Sequence, residues 1–378
     1  MTPLPSSPRP LGLRRFLALL LAGAVLAAPA HAGLFDAIKG LTDKITESKL
    51  QGDADRDAAY EAELAKKFPP YRFDQPPAAQ TAQHVELVRG SNFKDIRKVG
   101  IVNFAVEFAL FKELKAGGGG SLGSTSRDVE KSMQIPPPDV ARLQAIVDEL
   151  HARTVRDFAA MGIEVVPFET LKATKHYAEL APAQHASPWA TDTKDSQSVF
   201  IAPSGMPLYM DNPARADFLK GLGFTFGTNT RMKEVMMTYD LKQEVHLLSV
   251  NMVVDFAAMK TSGRSFIAYA AVGAANLHHL HAGNTSYRFI SPTQPEFLYA
   301  RLRQPLVSDT RLIAETQVAL GEGSTQQHAA VGLQTTTTST VTATRGAGAF
   351  DSATWYRRSA DMLDAARQMF AAELAGQR

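Results

Sequence analysis

The feature that most constrains this chain is a largely apolar run, Val99 to Phe111, in which Asn103 and Glu107 are the polar residues. A run of this kind forms a strand covered on both faces, as parallel sheets require. Pro136-Pro137-Pro138 ends the loop that follows, and Asp139 stands where a short acceptor side chain caps a helix. That helix carries its apolar residues at Val140, Leu143, Ile146, Val147, Leu150, Phe158 and Met161. Gly162 stops it, since glycine tolerates positive φ. Ile163 to Phe168 reads as a second buried strand, and Thr170 opens a further helix through Leu171, Tyr177 and Leu180. Strand, helix and strand in this order predict an α/β fold: a sheet with covering helices in three layers, parallel at its start.

Downstream, Arg231 to Gln243 predicts a helix that leads into a long strand, Val245 to Met259. Ser265 to Leu277 and Tyr287 to Ile290 read as further strands of an antiparallel meander, with turns at Lys260 to Gly263 and His278 to Asn284. Residues 112–137 and 181–210 read as long loops, and residues 294–320 as helical in part. Leu333 to Thr344 is threonine-rich and reads as a polar edge strand or a mobile segment. Ser352 is placed to cap a last helix carrying Trp355, Met362, Leu363, Ala366, Phe370 and Leu374. The α/β domain is thus expected over 96–378, preceded by an amphipathic helix and Pro-rich linker over 33–95.

The N-terminus carries an address. Arg14 and Arg15 precede the apolar run Phe16 to Ala28, and Ala30-His31-Ala32 gives a small-x-small end. This is the pattern of a secretory signal peptide over 1–32, and it predicts a periplasmic or secreted protein. The first 32 residues hold three arginines and no acid, leaving 37 basic and 38 acidic residues beyond them. A chain so near neutrality gives no reason to expect nucleic acid, which is held chiefly by excess positive charge. There is no cysteine, which excludes a disulfide scaffold, a thiol nucleophile, a thiolate zinc site and a lipid-anchoring cysteine.

Leu34, Phe35, Ile38, Leu41 and Ile45 follow at spacings of three and four, which places them on one stripe of a helix. Asp36, Lys39, Asp43, Lys44 and Glu47 fill the opposite side. Such a helix can lie in a membrane interface, or pack on its own domain or on a partner subunit. The opening Gly33-Leu34-Phe35-Asp36 is similar to that of short membrane-active amphibian peptides.

The order of elements from Val99 to Ile290 resembles the α/β domain of bacterial envelope proteins, such as the curli secretion channel subunit and the N-terminal domain of the Tol-system propeller protein. The resemblance implies envelope binding or assembly rather than catalysis. The long loops and the missing cysteine depart from that pattern.

Two sets of residues are candidates for chemistry. Val102-Asn103-Phe104-Ala105-Val106-Glu107-Phe108-Ala109 is echoed by Val250-Asn251-Met252-Val253-Val254-Asp255-Phe256-Ala257. Residues four apart on a strand share a face, so paired strands would present Asn103, Glu107, Asn251 and Asp255 together. Adjacent carboxylates share a proton or need a cation, and oxygen ligands suit calcium or magnesium. The competing reading is a polar face paired to lysine or arginine. The second set is His279 and His281 beside His278, which could bind a metal with a third ligand such as His246 or Asp255.

Other motifs fail on spacing. Asp53, Asp55 and Asp57 start like a calcium loop, but Ala58 and Leu64 replace its glycine and glutamate, leaving a solvated acidic helix start. Gly119-x-Ser121-x-Gly123 lies inside a glycine run, not at a strand–helix turn. Gly221, Gly223 and Gly227 do not make a dinucleotide fingerprint. A pore of hairpins is disfavoured, because its strands should alternate cleanly over about ten residues. The sequence therefore predicts a non-enzymatic envelope protein, attached to a membrane or joined to an envelope partner or to its own copies, and needing no cofactor. A secreted metal-dependent hydrolase, holding a divalent cation, is the alternative.

Overall fold

The structure is a computed structural model and describes residues 30–116, 125–193, 195–209, 228–262, 271–292, 298–312, 314–328, 333–345 and 350–378. Most of the expected signal peptide lies outside these. The chain divides into Met1–Asp55 and a compact unit, Arg56–Arg378.

Helix α1 spans Ala30–Lys67 and stops just before Pro69-Pro70, because proline disfavours helix at the preceding residue. Helix α2 (Pro77–His84) and strand β1 (Val85–Val88) follow. The expected linker thus carries structure, and β1 is an edge strand of the sheet. Strand β2 (Lys98–Ala116) is 19 residues long and buried through Ala109, as the apolar run predicts. Strand β3 (Thr125–Gln134) returns beside it, so much of the expected 112–137 loop is sheet.

Helix α3 (Val140–Ala160) is capped by Asp139, whose Oδ1 accepts from the Ala141 and Arg142 amides at 3.0 and 3.2 Å. It ends at Gly162, with φ at +71°. Strand β4 (Glu164–Val166) then pairs parallel with β2 at Lys98–Gly100. Helices α4 (Phe168–Lys172) and α5 (Lys175–Ala178) cover the sheet here. Gly100 allows α4 close approach: a Cβ there would lie 2.6 Å from Leu171 Cδ2.

Strands β5 (Gln184–His185), β6 (Trp189–Asp192), β7 (Ser196–Ile201) and β8 (Leu208–Tyr209) replace the loop expected at 181–210. Helix α6 (Thr228–Asp240) leads into β9 (His246–Ser262), close to expectation. Strand β10 (Ala271–Leu280) runs further than predicted and takes in His278 and His279. Strands β11 (Ser286–Ile290), β12 (Leu298–Leu302), β13 (Leu306–Val307) and β14 (Glu315–His328) follow. The helix expected within 294–320 is not found among the described residues, where β12, β13 and the start of β14 lie instead. Strand β15 (Leu333–Arg345) and helix α7 (Ser352–Ala375) complete the chain. Asp351, not Ser352, caps α7, accepting from the Thr354 amide at 3.0 Å.

Thirteen strands of the described residues form one mixed sheet, with the main order β1-β12-β11-β9-β2-β3-β14-β15. Strand β2 lies parallel to β9 from Val99↔His246 to Phe108↔Val254. There the sheet divides. From Phe111, β2 continues with β3 on that side, while β9 runs on from Asp255 with β10 alone.

One face of the sheet packs Phe104, Phe108, Val250, Val254 and Phe256 against Leu143 and Val147 of α3 and Met362, Leu363 and Phe370 of α7. Each large apolar side chain so buried contributes about 1.5–3 kcal/mol. The other face sets Val102, Leu247 and Ile290 against Leu171, Tyr177 and Met237 of α4, α5 and α6. Helices on both faces make the fold a three-layer α/β arrangement. Among the described residues, no helix is long and apolar enough to cross a membrane.

Candidate functional site

Asn103, Glu107, Asn251 and Asp255 do fall on the paired strands β2 and β9, and all four are buried. Their neighbours in sequence, Phe104, Phe108, Met252 and Phe256, belong to the apolar cluster that includes α3 and α7. Alternation therefore sends the polar set to the opposite face.

Each of the four residues makes hydrogen bonds within the sheet. Asn103 Nδ2 donates to Ser249 Oγ at 3.0 Å and to Asn251 Oδ1 and the Val250 carbonyl at 3.3 Å. Asn251 Nδ2 donates to the same Ser249 hydroxyl at 3.3 Å. Glu107 turns towards β7, where Ser198 Oγ donates to its Oε1 at 2.9 Å. Asp255 lies where the sheet divides and pairs with the Lys112 ammonium, which also donates to the Ala257 carbonyl at 3.0 Å. The Ala257 amide donates to Asp255 Oδ1 at 3.2 Å. Burial alone would raise the Asp255 carboxyl, but Lys112 and His279 hold it below the usual carboxylate range. The two carboxylates are thus bonded to different partners, and Asp255 is paired with a lysine, supplied by β2 of the same sheet and not by a covering helix.

The histidines divide between strand and turn. His278 and His279 are buried in β10, so the turn expected at His278 begins only after Leu280. His279 is the register partner of Asp255, and its Nδ1 lies 2.7 Å from the Leu277 carbonyl. His278 Nε2 lies 3.0 Å from Ser359 Oγ on α7. Burial, aided by neighbouring positive charge, pushes the His278 imidazole down to about 3. His281 is exposed, with its ring centroid 6.2 Å from that of His279. His246, suggested as a third ligand, lies at the far end of β9 from Asp255, about 30 Å away along the strand. Among the described residues, no three His, Cys, Asp or Glu side chains are grouped to hold a metal.

Sequence reasoning missed two further ionic contacts. Lys131 on β3 is wholly buried, and its Nζ lies 2.8 Å from Asp57 Oδ1 on α1. The same carboxylate oxygen accepts from the Ala274 amide of β10 at 2.9 Å. Asp57 thus ties together the two branches of the divided sheet; its side chain is 20% exposed and lies well inside α1, not at a helix start. Arg288 on β11 and Glu234 on α6 form a second buried pair, with Nη2–Oε distances of 2.8 and 3.0 Å. Ser249 carried a signal, since it continues the alternate-residue row of Asn251; Lys131 and Asp57 carried none.

Leu34, Phe35, Ile38, Leu41 and Ile45 lie on α1, where the backbone is helical as the spacing predicts; their side chains lie outside the described residues. A cleft of about 280 Å³ opens at the start of β9, with Asp95, Arg97, Glu244 and His246 among its polar lining and Phe289 and Leu298 among its apolar lining. Lys242 and Gln243 beside it are both left-handed, with φ of 58° and 60°.

Comparison of the chain with protein-family models, curated proteins and solved structures finds no match.

Proposed function

We propose that this chain is a non-enzymatic assembly module of the bacterial cell envelope, exported and peripherally attached. What supports the reading is the engagement of the polar row: the carboxylates, amides and inner histidines that could serve catalysis are buried, and each is hydrogen-bonded to a neighbouring side chain or backbone group. A general acid or base must reach its substrate within hydrogen-bond distance, and these groups are already engaged inside the sheet. Among the described residues, the outer edge of β15 has no strand paired with it.

Attachment is assigned to the first turns of α1. An amphipathic helix binds an interface through its apolar stripe, and Leu34, Phe35, Ile38, Leu41 and Ile45 supply that stripe. Export rests on the basic, apolar and small-x-small order of residues 1–32.

The test is flotation with liposomes containing anionic lipid, at two salt concentrations. The full chain should float, and a version lacking residues 33–51 should not. Leu34→Glu with Ile38→Glu should abolish flotation while leaving the thermal transition unchanged. If the full chain stays at the bottom of the gradient at both salts, peripheral attachment through α1 is wrong.

A further inference from the structure

The edges of the sheet are not treated alike. Strand β1 has four residues, and its Glu86 is paired with Arg301 of β12 at 3.0 Å. Strand β4 has three residues, flanked by the Lys98–Glu164 pair at 3.6 Å. Strands β6 and β13 have four and two residues. Short length and charge are the devices by which proteins blunt sheet edges.

Strand β15 has neither. It runs for 13 residues, and its single charge, Arg345, is at the end. It pairs with β14 along its whole length, from Thr316↔Arg345 to His328↔Leu333. Among the described residues no strand pairs with its other side. Alternate N–H and C=O groups of a long, uncharged strand therefore point outward. Such an edge is a template for another strand.

We propose that β15 is a self-association edge: it pairs antiparallel with β15 of a second copy, about a two-fold axis at Ser339. The inference deepens the assembly reading by naming the partner, and it rests on three features of the strand.

The first is charge. An antiparallel pair centred on Ser339 sets Arg345 of each copy opposite Leu333 of the other, so the two arginines lie at opposite ends of the junction. A parallel, in-register pair would instead set them side by side. The second is register. The centre at Ser339 overlaps all 13 residues and joins positions of like parity, 335 with 343 and 337 with 341. Both faces of the sheet then continue across the junction without the flip that a one-residue slip would cause. The third is composition. Seven of the 13 residues are threonine, a β-branched type that pairs favourably across strands. A two-fold contact uses the same edge on both copies and so closes as a dimer. The product is one continuous sheet running through β14, β15, β15 and β14.

The absence of cysteine makes the register directly testable. Ser339→Cys gives the chain a single thiol, placed on the proposed axis. Mild oxidation of the full chain should convert it to a disulfide-linked dimer, since a disulfide needs Cβ atoms about 4 Å apart. Thr336→Cys is the control. Its partner in the pair is position 342, which separates the two thiols by about 20 Å, and it should stay monomeric on a non-reducing gel.

Charge gives an independent test. Position 338 of one copy faces 340 of the other, and within the chain they face Gly323 and Gly321 of β14. Thr338→Glu with Thr340→Glu should convert the dimer to monomer in sedimentation velocity. Thr338→Glu with Thr340→Lys should keep the dimer. A wild-type chain that sediments as a monomer at tens of micromolar overturns the proposal, whatever the variants do. So do equal cross-linking at 339 and 336, and assemblies larger than two. Flotation of the chain lacking residues 33–51 tests membrane attachment without touching β15, so the two readings fail separately.

Discussion

Lys131, on β3, has no exposed side-chain surface, and its ammonium lies 2.8 Å from Asp57 Oδ1 on α1. Because that oxygen also accepts from the Ala274 amide of β10, one carboxylate serves both branches of the divided sheet. Removing one partner of a buried pair costs about 3–5 kcal/mol, because the other charge is left in a poor solvent. Asp57→Asn keeps the shape and removes the charge, so urea titration should show a loss near the lower end of that range. Lys131→Met in the same background should recover most of it. An unchanged midpoint for Asp57→Asn would show that the fold does not depend on the pair.

The Lys112–Asp255 pair should respond asymmetrically. Asp255 is almost wholly buried, whereas the Lys112 side chain is 30% exposed. Lys112→Met strands a carboxylate in the interior and should cost about 3 kcal/mol. Asp255→Asn leaves an ammonium that can turn to water, and should cost markedly less. Equal losses in chemical denaturation would contradict the placement of Asp255 inside the division of the sheet.

Acid should weaken the fold through histidine before it reaches the carboxylates. His278 is held neutral down to about 3, while in the unfolded chain it protonates near its usual 6.5. Between those values the unfolded state binds the extra proton, so stability falls as pH falls. The slope from this one group is at most about 1.4 kcal/mol per pH unit. His279, His84, His151 and His246 are shifted the same way by burial, so the measured slope should exceed that of one proton. His278→Gln should flatten it by about one proton between pH 6 and pH 4. A stability curve level from pH 7 to pH 4 would contradict the burial of these rings.

Gly162 ends α3 with φ at +71° and with nothing near its missing side chain. Gly162→Ala therefore meets no clash, only the left-handed backbone, and should cost about 1–2 kcal/mol in thermal unfolding. A neutral result would mean that the turn relaxes to negative φ.

The parts of the fold legible in the sequence were those where one local rule was strong. Val99 to Phe111 could only be a covered strand, and Asp139 and Gly162 marked the limits of α3. The row Asn103, Glu107, Asn251 and Asp255 was legible as two strands sharing a polar face. Its partners were not. Lys112 sits five residues beyond Glu107 on the same strand, and Ser198 arrives from β7, in a stretch read as loop because most of the residues before Val199 are polar or small. Strand β3 was hidden for the same reason: Thr-Ser-Arg-Asp-Val-Glu-Lys-Ser-Met-Gln has no apolar alternation, and it holds its place through two neighbouring strands. Asp57 looked solvated because the lysine that meets it lies 74 residues away.

The parallel pairing of β2 with β9 has a consequence in time. Asn103 meets Asn251 across 148 residues, and contacts of such separation form late, since a long stretch of chain must be closed before they are rewarded. The β14–β15 hairpin is local and closes on the scale of microseconds. A complete chain refolding from the unfolded state therefore holds its unpaired edge strand ready while its centre is still unmade. Refolding yield should accordingly fall with protein concentration more steeply than native stability would suggest. Any helper that receives this chain in the cell would do most good by shielding residues 333–345 until the middle of the sheet has closed.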